Sequence, residues 1–174
     1  MMKKLMVAAV LAMAGAAAFA QGGYVGALIG LGQINAQCDG SCDRNAGTYK
    51  VLGGYEFANR FGLEVAYTNY GEYQVAGYGD VEAEAYSAGV TYRWLFGRDW
   101  DGTLRGGVSS VRTTWSSPFT AGKNSDASLY AGFNVGYHFA QNAKLVAGVE
   151  ATSVKVADDN GALVTGSVGI QFGF

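Results

Sequence analysis

Eight separate stretches of this 174-residue chain alternate, residue by residue, between large apolar side chains and small or polar ones. Successive side chains of a β-strand face opposite ways, so each stretch makes a strand with one greasy face and one small or polar face. The last is the clearest: Val168, Ile170, Phe172 and Phe174 share one side, and Gly169, Gln171 and Gly173 share the other. An apolar outer face over a small, polar inner one suits a barrel wall between lipid and a narrow interior. A soluble ligand-binding barrel would be apolar inside and polar outside, so the pattern argues against that class.

The predicted strands run over Tyr24 to Gly32, Thr48 to Phe57, Phe61 to Tyr70, Ala83 to Trp94, Gly102 to Arg112, Ala127 to Phe139, Leu145 to Val154 and Leu163 to Phe174. Each is near the ~9–11 residues that a tilted strand needs to cross a bilayer. Their lipid faces carry Val25, Ile29 and Leu31 on the first strand, Leu63, Val65 and Tyr67 on the third, and Leu129, Phe133 and Tyr137 on the sixth. Short connectors follow the second, fourth and sixth strands (Ala58 to Arg60, Leu95 to Asp101, Ala140 to Lys144), and mostly longer, polar ones follow the others. Such alternation is expected when the short turns and both termini lie in the periplasm and the long loops lie outside. Tyr24, Tyr55, Phe57, Phe61, Trp94, Phe96, Trp100, Tyr137, Phe139, Phe172 and Phe174 gather at the short-turn ends, as an interfacial aromatic girdle would.

The start of the chain points the same way. Lys3 and Lys4 precede an apolar run from Leu5 to Ala17, and Ala18-Phe19-Ala20 is a small-x-small cleavage pattern, so residues 1–20 read as a secretory signal peptide. The exported domain then covers residues 21–174, and Gln21 in place of a cysteine argues against a lipoprotein anchor. No later stretch reaches the ~18 apolar residues of a membrane helix. The 27 glycines and single proline suit strands packed round a narrow lumen better than helices, where each glycine costs about 1 kcal/mol. Without Lys3 and Lys4, ten basic residues face fourteen acidic ones, a balance that gives no basic patch for nucleic acid.

Gly53-Gly54-Tyr55-Glu56, the run Gly62-Leu63-Glu64-Val65-Ala66-Tyr67-Thr68-Asn69-Tyr70-Gly71, and Asp159-Asn160-Gly161-Ala162-Leu163 make the chain similar to the transmembrane domain of the OmpA and OmpX/Ail group. The resemblance covers residues 22–174 and implies an all-β, eight-stranded antiparallel up-and-down transmembrane barrel. It implies a place in the outer membrane of a Gram-negative bacterium, among lipid and lipopolysaccharide. It also implies that the strand carrying Val168, Ile170, Phe172 and Phe174 is read by the barrel assembly machinery. The family's periplasmic peptidoglycan-binding domain has no counterpart after Phe174, so a wall-anchoring role is not carried over.

Inward charges follow from the same alternation. Lys50, Glu64, Arg93, Arg105, His138 and Glu150 all fall on the polar face. Glu64 and Arg105 are similar to an inward glutamate and arginine of the family. Counting from the short turns puts them at one height, with Lys50 and Glu150 higher and Arg93 and His138 lower. Opposite charges in two layers could form a gate that breaks and re-forms or a static network. The static network is the expectation, because side chains just fill an eight-stranded interior. Gly136 and Gly148 stand where a gate would want charged partners, which counts against a conducting pore.

Cys38 and Cys42, the two cysteines, fall close together in the first long loop and read as a disulfide in an exported protein. A metal site would need more soft ligands than Asp39 and Asp43 provide. Asp158-Asp159-Asn160-Gly161 reads as a turn, lacking the spaced ligands of a calcium loop. The sole histidine, His138, points inward near the periplasmic end and is expected to be a hydrogen-bonded structural imidazole. No cofactor is expected. The expected role is non-enzymatic, structural or adhesin-like, through the outer loops and whatever host or surface ligand they meet. The alternatives are a lipid A-modifying enzyme in the same barrel and, further off, a soluble periplasmic ligand-binding barrel.

Overall fold

A computed structural model describes residues 22–35, 45–75, 79–116, 121–156 and 159–174. Eight strands follow one another: β1 (Gly23–Asn35), β2 (Asn45–Glu56), β3 (Phe61–Val75), β4 (Gly79–Leu95), β5 (Trp100–Ser116), β6 (Ala121–Ala140), β7 (Ala143–Val156) and β8 (Asp159–Gly173). Each is antiparallel to its neighbour in sequence, and β8 returns to β1 to close the barrel, with Tyr24 opposite Gly173 and Asn35 opposite Ala162. The expected up-and-down barrel is thus the observed one.

Residue parity sorts the two faces as the sequence implies. On β1, Ile29 and Leu31 are each 68% exposed, while Leu28, of the opposite parity, is 4% exposed. Leu63 and Val65 face out around the buried Glu64, and Leu104 faces out beside the buried Arg105. Large apolar groups on the outside with charges on the inside reverse the order of a water-soluble domain. Only a lipid surround makes that arrangement stable.

Aromatic rings edge this apolar band at two levels. Near the short turns, Phe61 meets Tyr92 at 5.0 Å between ring centroids, Trp94 stacks on Phe133 at 5.7 Å, and Trp100 meets Tyr137 at 5.0 Å. Toward the other end, Tyr67 lies 6.1 Å from Tyr49 and 5.1 Å from Tyr86, forming a second belt across β2, β3 and β4. One residue departs from the girdle read in the sequence. Tyr24 points into the lumen and is 8% exposed, because its parity is that of Gly26 and Leu28. Its ring lies over Gly54 on β2, where a Cβ would collide with the tyrosine Cζ.

The strands also run further than the hydrophobic alternation. Segments read as long polar loops are largely hairpin arms: β3 and β4 are joined through 76–78, and β5 and β6 through 117–120. Beyond the apolar band the apolar-polar alternation of the sequence lapses while the backbone ladder continues, as in Val81 opposite Trp115 and Thr114 opposite Lys123. The short connectors behave as read, with turns over 57–60, 96–99 and 141–142 at the end that also holds Gly22 and Phe174.

A charge placed on the outer face tests this orientation. Val108→Arg, at a site 58% exposed, should lower the unfolding free energy in lipid by about 2–4 kcal/mol. Arg98→Ala, in an exposed short turn, should leave it unchanged. Urea titrations followed by tryptophan fluorescence in phospholipid vesicles would measure both, and a neutral Val108→Arg would contradict a lipid-facing Val108.

Candidate functional site

The lumen gathers the charged side chains into pairs stacked along the barrel axis. In the middle, Arg105 on β5 donates from Nη1 to Glu64 Oε1 on β3 at 2.8 Å, reaching past β4, where Gly89 stands in register between Glu64 of β3 and Gly107 of β5. Both side chains are almost wholly buried. Tyr24 adds a hydroxyl donated to Glu64 Oε2 at 3.1 Å. Asn134, with its amide oxygen turned toward the guanidinium, accepts from Arg105 Nε at 3.2 Å and from Nη2. Glu64 and Arg105 therefore each have two partners, as buried charges must to offset their desolvation.

Farther from the short turns, Lys50 Nζ on β2 lies 2.5 Å from Glu150 Oε2 on β7. This contact spans β1 and β8, so it ties together the two walls flanking the closure. The lysine ammonium also sits 5.7 Å from the centre of the Tyr130 ring. Beyond it, Ala46, Tyr70, Ala83, Ala85, Val111 and Leu163 form a buried apolar cluster on the hairpin side of the lumen. A second apolar cluster, Tyr24, Leu28, Leu52 and Val146, packs on the other side. Beside the Lys50 and Arg105 side chains the open space is about 10 Å³, room for about one water molecule.

A third group occupies the short-turn end. Asp101, 1% exposed, accepts from Lys144 Nζ at 2.9 Å and pairs with His138 Nε2 at 2.6 Å. Arg93 Nη1 approaches the same carboxylate at 3.9 Å, while its Nη2 lies 2.6 Å from Glu56 Oε1. Lys50, Glu64, Arg93, Arg105, His138 and Glu150 all face this interior. Asp101, Lys144 and Asn134 complete the set and were not singled out by sequence. Asp101 and Lys144 fell at the ends of two short connectors, yet their parity matches Thr103 and Arg105 on β5 and Val146 on β7. That parity was the available signal. Gly136 is a cradle, not a missing partner: a Cβ there would stand 2.7 Å from Asp101 Oδ1.

Cys38 and Cys42, and residues 1–20, lie outside the described residues. Among the described residues no cluster of histidine, cysteine and carboxylates could hold a metal ion. Val168, Ile170 and Phe172 face outward on β8, and Phe174, just past its end, is also exposed.

An ion-paired lumen inside an apolar wall is common to many small barrels, and similarity to known proteins decides the family. Residues 5–174 match the model of the outer membrane protein beta-barrel domain. The chain belongs to that family. Among solved structures it is similar to Neisserial surface protein A (NspA), with a TM-score of 0.69, 17% identity, and coverage of 88% of this chain and 98% of that one. The N-terminal barrel domain of Pseudomonas aeruginosa OprF aligns with a TM-score of 0.64 and 16% identity over 88% and 98% of the two chains. Ail, the attachment invasion locus protein of Yersinia pestis, solved with the heparin analogue sucrose octasulfate, aligns with a TM-score of 0.54 and 20% identity over 87% and 100%. At such identities these structures share the fold. No curated protein sequence matches the chain.

Removing half of a buried pair should cost more than removing both. Glu64→Ala leaves Arg105 without its anion and should destabilise the barrel by about 3–5 kcal/mol. Glu64→Leu combined with Arg105→Met should recover most of that loss, and a double-mutant cycle in urea measures the coupling. Additive losses would show that the two side chains do not meet.

Proposed function

We propose that the protein is a non-enzymatic, non-conducting outer-membrane barrel that acts at the cell surface through its β3–β4 and β5–β6 hairpins, as a structural or adhesin-like protein. The observation that carries this reading is the filled lumen, with three groups of ion-paired side chains and an apolar cluster across the hairpin end. Transport needs a continuous polar path, and such an interior offers support without passage. Residues 1–20 act as the export signal, Cys38 and Cys42 join as a disulfide in the first outer loop, and the short turns face the periplasm. Lipopolysaccharide surrounds the outer half, and the assembly machinery reads the last strand.

Surface contact is favoured by similarity to Ail, a protein named for attachment and invasion and crystallised with a heparin analogue. A lipid A-modifying activity is disfavoured by the placement of His138. Its imidazole is held against Asp101 at the short-turn mouth, facing the lumen, whereas lipid A lies in the leaflet beside the hairpins.

Topology and role are separable by experiment. In a background lacking Cys38 and Cys42, a cysteine at Asp159 should react with an impermeant thiol reagent on intact cells, and one at Asn142 should not. Reaction at Asn142 in sealed cells would reverse the orientation. A deletion strain should lose attachment to host cells or matrix while keeping its lipid A mass spectrum, and the purified protein should give no liposome swelling. Altered lipid A would favour the enzyme instead.

A further inference from the structure

Among the described residues, the packing of the lumen loosens toward the short turns. At the short-turn end the barrel opens into a vestibule of about 650 Å³, against about 10 Å³ beside the Lys50 and Arg105 pairs deeper in. That volume is in the range of a small-molecule site. Its floor and walls include Arg60, Arg93, His138, Lys144 and Gln171, and its rim includes Tyr55. Glu56 is the one acidic side chain among the lining residues, and Arg93 engages it at 2.6 Å. Asp101 lies beneath, 1% exposed and shielded by Lys144 and His138.

The reachable groups are therefore mostly donors. Arg93 spends Nη2 on Glu56, but its Nη1 stays 3.9 Å from Asp101, beyond hydrogen-bond reach. His138 spends Nε2 on Asp101, which leaves Nδ1 as the free edge of the ring. Arg60 sits in the turn after β2 and is exposed. Its backbone is held in the left-handed region at φ 71°, and its carbonyl accepts the Arg93 N–H at 2.9 Å, so the turn stands directly over the Arg93 strand. A non-glycine residue at such a φ is uncommon and strained. A glycine would remove that strain, so the side chain at 60 has to justify itself in some other way.

We propose that this vestibule binds a phosphate oxyanion, with Arg60 and Arg93 as its charged ligands and His138 beside them as a neighbouring ring. Two guanidiniums present planar forks of N–H groups suited to phosphate oxygens. The shared chemistry is a phosphate carried either on a phospholipid headgroup of the adjoining leaflet or on a soluble molecule. The aromatic rim beside Tyr55 would accommodate the lipid case, and the open mouth would accommodate the soluble one. The site is independent of the hairpins at the opposite end, so it can be tested whatever they contact.

Because His138 is the only histidine of the chain, its imidazole carbon resonances report on this site alone. The tag-free protein in phosphate-free maltoside micelles would be titrated with inorganic phosphate and, separately, with dihexanoyl phosphatidylglycerol at constant ionic strength. A saturable His138 shift with either is expected. Arg60→Gly, compatible with the left-handed turn, should weaken the midpoint about five- to tenfold, while Arg98→Ala on another short turn should not change it. A tighter midpoint for the lipid assigns the phosphate to the membrane, and a tighter one for the inorganic ion assigns it to solution. The proposal is overturned if neither ligand shifts His138, if chloride reproduces the shift, or if Arg60→Gly, still folded by its β-sheet circular dichroism, titrates like the parent.

Discussion

Closure of β8 onto β1 is the constraint on which the rest of the barrel depends. In hydrocarbon an unpaired backbone N–H or C=O costs several kcal/mol, so a sheet that crosses a bilayer can leave no edge open. The ladder from Tyr24 opposite Gly173 to Asn35 opposite Ala162 removes that edge. Once the wall is closed with eight strands, its interior is narrow, and every inward side chain must find room and a partner within it.

That narrowness explains the composition of the inner face. Glycines such as Gly54 and Gly136 are where a tyrosine ring or a carboxylate from an adjacent strand lies against the wall. Charges can be buried because each meets its opposite across one or more strands: Glu64 with Arg105, Lys50 with Glu150, Asp101 with Lys144 and His138. A buried ion pair of this kind gains little net stability over an apolar pair of equal volume. Its effect is to make register errors expensive, because a shift of one residue would turn every charge toward lipid.

The two ends of the barrel have different chemistry. Toward the hairpins Tyr70, Val111 and Leu163 pack with small alanines in the lumen, and the tyrosines Tyr49, Tyr67 and Tyr86 form a belt on the outer face. Toward the short turns the lumen widens, and Arg60, Arg93 and His138 line the open space. The proposed surface contact at one end and the proposed anion binding at the other therefore use separate parts of one wall.

The sequence by itself determined which face of each strand meets lipid, where the short turns fall, and which charges point inward, because a period of two is a local property of the chain. It misplaced the ends of the hairpins, since outside the bilayer no periodic demand marks where a strand stops. It also left Asp101 and Lys144 in turns and Tyr24 in the girdle. Only the tertiary structure decided which charges meet. Lys50 and Glu150 are 100 residues apart and come together through the closure and the registers of β1 and β8, not through any local pattern. The open vestibule has the same origin, because its lining comes from turns and strand ends that become neighbours only when the barrel closes.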